Sequence, residues 1–223
     1  MMILKRGIST AIQSVRRLKS MLLTTYHRKF IQPKSWQKSP EYHSYLDLQL
    51  QRTILKKDSA LPKRAIELID EVTQHINLTE HESMLCIGAR NKAEIDYWRN
   101  LGAKNVIGID LFSEDESVLV MDMHQMTFPD QQFDLIYSSH CLEHAYDIQQ
   151  VVGEILRVSL PGAAVIIEVP IRYQTKGADL IDLGSCENLI SLFGDHVNEV
   201  IFCGEEISTY GSFSVARTIF KLK

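Results

Sequence analysis

The chain reads as an α/β domain built on a parallel sheet with helices on both faces. Three observations predict it. From residue 83 onward, short apolar runs alternate with amphipathic stretches. Most of the runs stop at glycine or at a polar residue, and Gly102, Pro161-Gly162 and Pro170 punctuate the boundaries. Strands that alternate with helices are joined by crossovers, and crossovers place helices on both faces of a parallel sheet.

In chain order, Pro33 to Pro40 lie in a connecting stretch over residues 32–45, and residues 42–57 can form a short helix. Pro62 suits a first helical turn, and Ala65, Ile66, Ile69, Val72 and Ile76 form the apolar face that follows. Ser83–Ile87 is the first strand, ending at Gly88, and Lys92–Leu101 is a helix closed by Gly102. Val106–Ile109 ends at Asp110, Val118–Met121 ends at Asp122, and Phe133–Tyr137 ends at Ser138, Ser139 and His140. Asp147–Leu160 is a helix stopped by Pro161-Gly162, and Ala163–Val169 is a strand stopped by Pro170. A helix over Glu187–Phe193 and two closing strands, Val197–Phe202 and Ser214–Lys221, complete the series.

In open parallel sheets ligands bind at the carboxyl ends of the strands. Here those ends gather Gly88, Asp110, Asp122 and Ser138 to His140. A glycine after the first strand lets backbone approach a ligand, and the next helix offers free N–H groups to an anion. An acid ending the second strand can accept from two ribose hydroxyls. Asp122 can accept from an adenine amino group. Singly, each residue is a turn or a loop cap; in register, they describe a pocket for an adenosine with a polar tail.

Charge divides the chain. Net charge is −4 over 223 residues, yet residues 1–64 hold fourteen Lys/Arg and three acids while residues 65–223 are acidic. This predicts a basic helical N-terminal extension, 1–59, on an acidic domain, 60–223. In the extension Leu4, Ile8, Ala11, Ile12, Val15, Leu18 and Leu22 recur at helical spacing, opposite Arg6, Arg16 and Arg17. Such a helix packs on its own domain, lies on a membrane surface through residues 1–25, or serves as a targeting segment. Sparse aromatics and the acidic domain argue against nucleic acid. Four cysteines (86, 141, 186 and 203) without CxxC spacing predict reduced thiols in a cytoplasmic protein.

The stretches MLCIGARN (84–91), VIGIDL (106–111), VMDMHQMTFPDQQFDLIYSSHCLEH (120–144) and EILRVSLPGAAVIIEVP (154–170) carry a resemblance. Residues 84–169 resemble the class I S-adenosylmethionine-dependent methyltransferases of the small, type 11 kind. The resemblance implies a Rossmann-like, mostly parallel seven-stranded sheet with an antiparallel C-terminal hairpin. It implies S-adenosylmethionine as cofactor. Gly88, Ala89, Arg90 and Asn91 would hold the methionine part, and Asp110 with Leu111 the ribose. Asp122 and Met123 would hold the adenine, with His124 beside them either in that group or an ordinary polar position. Ser138, Ser139 and His140 would border the sulfonium and the acceptor. The family loop usually reads G-x-G-x-G; here Arg90 can pair with the methionine carboxylate and Asn91 can cap the next helix.

Methyl transfer from a sulfonium mainly needs alignment, while a hydroxyl acceptor also needs a base. His140 and His144 are the candidates, with Glu143 as orienter or second base. These residues also spell H-x-x-E-H, a zinc motif when helical. Directly after a strand that context is absent, and His140 stands where relatives with a divalent metal carry Glu, so no metal is expected. Acceptor recognition falls to the N-terminal helices, Ile171–Asp182 and a lid-like loop over Gly204–Phe213; Arg172 and Tyr173 either contact an anionic or sugar-like acceptor or lie in a surface loop. The expected activity is methylation, with oxygen favoured, of a small molecule or of a sugar or lipid headgroup. The alternative is a non-catalytic relative that binds or scaffolds.

Overall fold

The computed structural model describes residues 39–207 and 213–223, together with Leu22. The amphipathic pattern over residues 4–22 otherwise lies outside the described residues.

Seven strands form one sheet: β1 (Met84–Ile87), β2 (Val106–Asp110), β3 (Val118–Val120), β4 (Phe133–Ser139), β5 (Ser159–Ile171), β6 (Val197–Ile207) and β7 (Ser214–Leu222). Their order is β3-β2-β1-β4-β5-β7-β6. The first five are parallel, and β7 runs antiparallel between β5 and β6. Strand order reverses between β1 and β4, so their carboxyl ends, Ile87 and Ser138, flank the crevice expected to hold a ligand.

The helices are α1 (Pro40–Lys56), α2 (Lys63–His75), α3 (Lys92–Asn100), α4 (Ile148–Val158) and α5 (Cys186–Ser191). Their starts are chemically marked. Ser39 accepts from the Tyr42 amide with Pro40 in the first turn, Asn91 accepts from Ala93, Asp147 from Gln150, and Ser185 from Asn188. Alternation along β1 sends Met84 and Cys86 to one face and Leu85 and Ile87 to the other. The first face packs Leu68, Ile69 and Val72 of α2 and Ile95 and Trp98 of α3. The second packs Val151, Val152, Ile155 and Val158 of α4 and Leu189 of α5. Each fully buried aliphatic side chain of this kind contributes about 1.5–3 kcal/mol.

Several expectations are corrected. Helix α1 begins inside the stretch read as a connector, because Ser39 and Pro40 form a cap and first turn and not a linker. Helix α4 ends at Val158, before Pro161-Gly162, and β5 already starts at Ser159. The partners of Phe133 and Leu135 are Ser159 and Ala164, so the intervening residues loop out of the ladder. Pro161 has no N–H to give, and Gly162 takes φ +80°. Strand β6 runs through Ile207, so residues 204–207 are paired strand and not lid; residues 208–212 lie outside the described ones.

The thiol expectation also fails. Cys186, at the start of α5, and Cys203, on β6, form a disulfide, leaving Cys86 and Cys141 free. The pairing joins positions 17 residues apart that only the folded sheet brings together. It removes the reduced-thiol premise from which a cytoplasmic location was read. Among the described residues no helix is long and apolar enough to cross a membrane.

Candidate active site

A cavity of about 310 Å³ opens at the carboxyl ends of β1, β2 and β4. That size falls at the lower end of ligand pockets, roughly 300–1,000 Å³. Gly88, Arg90, Asp110, Leu111, Asp122, Met123, His140, Glu143 and His144 all line it. The structure thus brings together nine of the residues expected from sequence.

Gly88 turns the chain at φ +80°, and a Cβ there would meet Cys141 Sγ at 2.6 Å. The next turn is made by Arg90 at φ +53°, left-handed and uncommon without glycine. The Arg90 amide donates to Asp110 Oδ2 at 3.0 Å, which holds that conformation. The departure from the multi-glycine loop therefore keeps the backbone turn. Burial among other cations lowers the Arg90 guanidinium from its ordinary pKa. Asn91 caps α3 and donates to the Lys57 and Ser59 carbonyls, at the cavity's outer edge rather than in it.

Asp110 ends β2. Its Oδ1 accepts from Thr53 Oγ1 at 3.0 Å and from the Leu111 amide at 2.6 Å. Burial pushes its carboxyl up, against these hydrogen bonds. Asp122 is only 2% exposed. Its Oδ2 accepts from the Tyr42 hydroxyl, and its Oδ1 from the His124 amide and Nδ1 at 2.9 and 2.7 Å. Burial pushes this carboxyl up, but His124 and Tyr42 outweigh it and the net direction is down. Both oxygens of the expected adenine acceptor are thus committed to protein donors. His124 is fully buried behind Asp122; its Nε2 accepts from the Tyr146 amide at 3.0 Å, which leaves the proton on Nδ1. It serves as a core polar link, the second of the two roles open to it in sequence. Ala89 and Ser138 are buried off the cavity wall, and Ser139 faces a separate small recess beside Ala89 and Asn91.

The catalytic candidates cluster after β4. His140 follows the strand at φ +50°, and its amide donates to the Glu168 carbonyl at 2.9 Å. Leu142–His144 is a single 3₁₀ turn and not the α-helix a zinc H-x-x-E-H needs. Glu143 is 3% exposed, and its Oε2 has no hydrogen-bond partner among the described residues. Its Oε1 lies 3.7 Å from His140 Nδ1 and 3.9 Å from His144 Nε2. Burial pushes its carboxyl up to about 8, so it is largely neutral at pH 7. His144 Nδ1 donates to the Ala178 carbonyl at 3.0 Å. Burial, then Arg52, pull its imidazole down to about 4.

The sequence assigns acceptor recognition to the N-terminal helices but names none of the residues that α1 and α2 supply. Tyr45, Gln49, Arg52, Thr53 and Lys56 of α1 and Arg64 of α2 line the cavity. Gln49 donates to Ala178 O at 2.8 Å and Arg52 to Asp179 at 2.9 Å, tying α1 to the segment after β5. No local pattern marks such contacts, which span more than 120 residues. Of the two residues left open in sequence, Tyr173 lines the cavity, whereas Arg172 pairs outward with Glu205.

An acid at the end of β2, a glycine-turned loop after β1 and a seven-stranded sheet with a reversed C-terminal hairpin are together the class I S-adenosylmethionine-dependent methyltransferase fold. Within it, residues 85–167 match the family model described as "Methyltransferase domain". A stretch of 48 residues is 44% identical to ajmaline N-methyltransferase of Rauvolfia serpentina, covering 22% of this chain and 16% of that protein. Another of 55 residues is 46% identical to the "Probable tocopherol O-methyltransferase, chloroplastic" of Oryza sativa subsp. japonica, covering 25% and 15%. The matches thus span less than a fifth of these relatives. The N-methyltransferase NodS of Bradyrhizobium japonicum WM9, solved with S-adenosyl-L-homocysteine, superposes with TM-score 0.58 at 14% identity, over 82% of this chain and 99% of that one. The [4+2]-cyclase SpnF superposes with TM-score 0.59 at 14% identity, over 74% and 83%.

S-adenosylmethionine, the cofactor of this class, suits the residues present. Asp110 offers carboxylate oxygen to a diol, Ile109, Leu111, Met121 and Met123 offer an apolar wall to a purine, and Arg90 and Arg64 offer charge to a carboxylate. The Gly88 turn leaves no room for a side chain beside Cys141.

Proposed function

We propose that the protein transfers the methyl group of S-adenosylmethionine to an oxygen of a small molecule, or of a sugar or lipid headgroup. When bound, the cofactor supplies a methyl group already activated on a sulfonium. The chain's part is to hold, align and deprotonate. Asp110 accepts from the ribose hydroxyls in place of Thr53, and Arg90 faces the methionine carboxylate. His140 takes the proton of the acceptor hydroxyl. Glu143, neutral and 3.7 Å from His140 Nδ1, orients the acceptor by donating from its unpartnered carboxyl.

The observation that carries the reading is the joint placement of Asp110, Gly88, His140 and Glu143 around one cavity. The named relatives include both an N- and an O-methyltransferase; the imidazole beside the site supports oxygen, because a hydroxyl must lose a proton to react. The basic segment over residues 1–25 suits contact with anionic lipid, which would bring a headgroup acceptor to the site. Calorimetric titration of the folded protein with S-adenosylmethionine and S-adenosylhomocysteine tests the reading. Micromolar binding is expected, and its absence overturns it.

A second reading, a binding or scaffold protein without turnover, rests on Arg90, which stands where relatives carry glycine. Cofactor binding without methyl transfer to any hydroxyl-bearing acceptor class would favour it.

A further inference from the structure

Strand β5 is buried at every position from Ala163 to Val169, yet one residue of that run is a glutamate. Glu168 is 1% exposed, in a run that is otherwise apolar. An isolated carboxylate there would be costly, and such a group is retained only when paired. Its pair is built by register: Glu168 on β5 stands opposite Arg217 on β7. Arg217 Nε donates to Glu168 Oε2, and the same guanidinium pairs with Glu206 on β6. Arg217 is itself only 8% exposed, so two strands hold it in place.

One carboxylate oxygen is thereby used. The other, Oε1, lies 3.1 Å from His140 Nε2. This is ion-pair distance, with the angle still short of a hydrogen bond; catalytic hydrogen bonds are commonly loose until ligand binds. The His140 backbone is fixed on the same residue, through its amide bond to the Glu168 carbonyl. Its left-handed φ of +50° is a costly conformation for a non-glycine residue, and such strain collects where orientation matters.

We propose that Glu168, held in place by Arg217, is a positioning residue for His140. It keeps the Nε2 proton on the side facing β5, so that Nδ1, on the side of Glu143, is the nitrogen that receives a proton. Among the described residues, the charged and titratable groups facing the ring are Glu168 from β5, with Arg217 behind it from β7, and the neutral Glu143 from its own turn; Phe213 meets it edge-on without charge. Burial pushes Glu168 up, but His140 and Arg217 outweigh it and hold its carboxyl below the ordinary range. It therefore remains an anion at neutral pH, able to accept from the Nε2 proton.

The inference rests on His140 acting as base, but its test does not need the acceptor. Histidine-labelled full-length protein, saturated with S-adenosylhomocysteine, is titrated by NMR, with the His140 resonance assigned from His140→Gln. In Glu168→Gln the His140 midpoint is expected to fall by roughly one pH unit or more. A midpoint unchanged from the parent, in a folded variant that binds S-adenosylhomocysteine, overturns the proposal. A merely structural glutamate would lower thermal stability without moving that midpoint. Should Glu168→Gln fail to fold, Glu168→Gln/Arg217→Met removes both buried charges together and is read the same way. If the parent fails to bind S-adenosylhomocysteine, the methyltransferase reading falls; the same titration without it still decides the Glu168–His140 coupling.

Discussion

Thr53 Oγ1, on a helix from the basic half of the chain, donates to Asp110 Oδ1 at 3.0 Å, across 57 residues. The carboxylate assigned to the ribose is therefore already held by α1. Asp110→Ala removes both that tether and the diol acceptor. It should weaken S-adenosylmethionine binding at least tenfold, about 1.4 kcal/mol or more, while circular dichroism shows the fold intact. Unchanged affinity would sink the ribose assignment.

The Tyr42 hydroxyl makes the matching contact with Asp122. Asp122 is buried and keeps His124 as its other partner. Hydrogen bonds to charged groups contribute about 1.5–3 kcal/mol. Tyr42→Phe should lower stability by that order in chemical denaturation. A change below about 0.5 kcal/mol would mean that α1 is not docked through this residue.

Glu143 gives stability a pH dependence with a definite sign. Its folded pKa, about 8, lies above its unfolded value, so the native state binds the extra proton and stability is lost as pH rises toward 8. Buried Glu94, pushed up to about 7, acts in the same direction. His144, held down to about 4, acts oppositely, but only below the ordinary imidazole range. Between about pH 6.5 and 8 stability should therefore decline, with a limiting slope of about 1.4 kcal/mol per pH unit per group. Glu143→Gln should flatten the decline, most clearly above pH 7. Urea melts at several pH values read it directly, and an equal slope in both proteins would contradict the burial of this carboxyl.

The Cys186–Cys203 disulfide closes a short loop. Reduction, or Cys203→Ser, should cost about 3 kcal/mol by loop-closure entropy. Without reductant, the denatured protein should show two reactive thiols, those of Cys86 and Cys141. Four would show that the bridge is not formed in solution.

What was legible in the sequence was periodic and local. The strand ends at Gly88, Asp110 and Asp122, the caps at Asn91 and Asp147, and the alternation of strands with helices were all visible, because each depends on neighbours a few residues away. The rest depends on pairing that topology decides. Glu168 sits inside an apolar run, and only the register with Arg217 explains it. Asp122 reads as a strand-end ligand group, and only the fold shows that Tyr42 and His124 also donate to it. The disulfide needed β6 beside α5, and Pro161-Gly162 read as a stop because a bulge within a strand has no simple periodic sign.

Helix α1 touches both halves of the cavity: Tyr42 and Thr53 reach the cofactor-side carboxylates, while Gln49 and Arg52 reach the segment after β5. An element contacted at both ends offers two ligands a common route of thermodynamic linkage. Whatever factor the cofactor contributes to acceptor affinity through α1, the acceptor returns in equal measure to the cofactor. Binding measured for either ligand alone then leaves that factor unread.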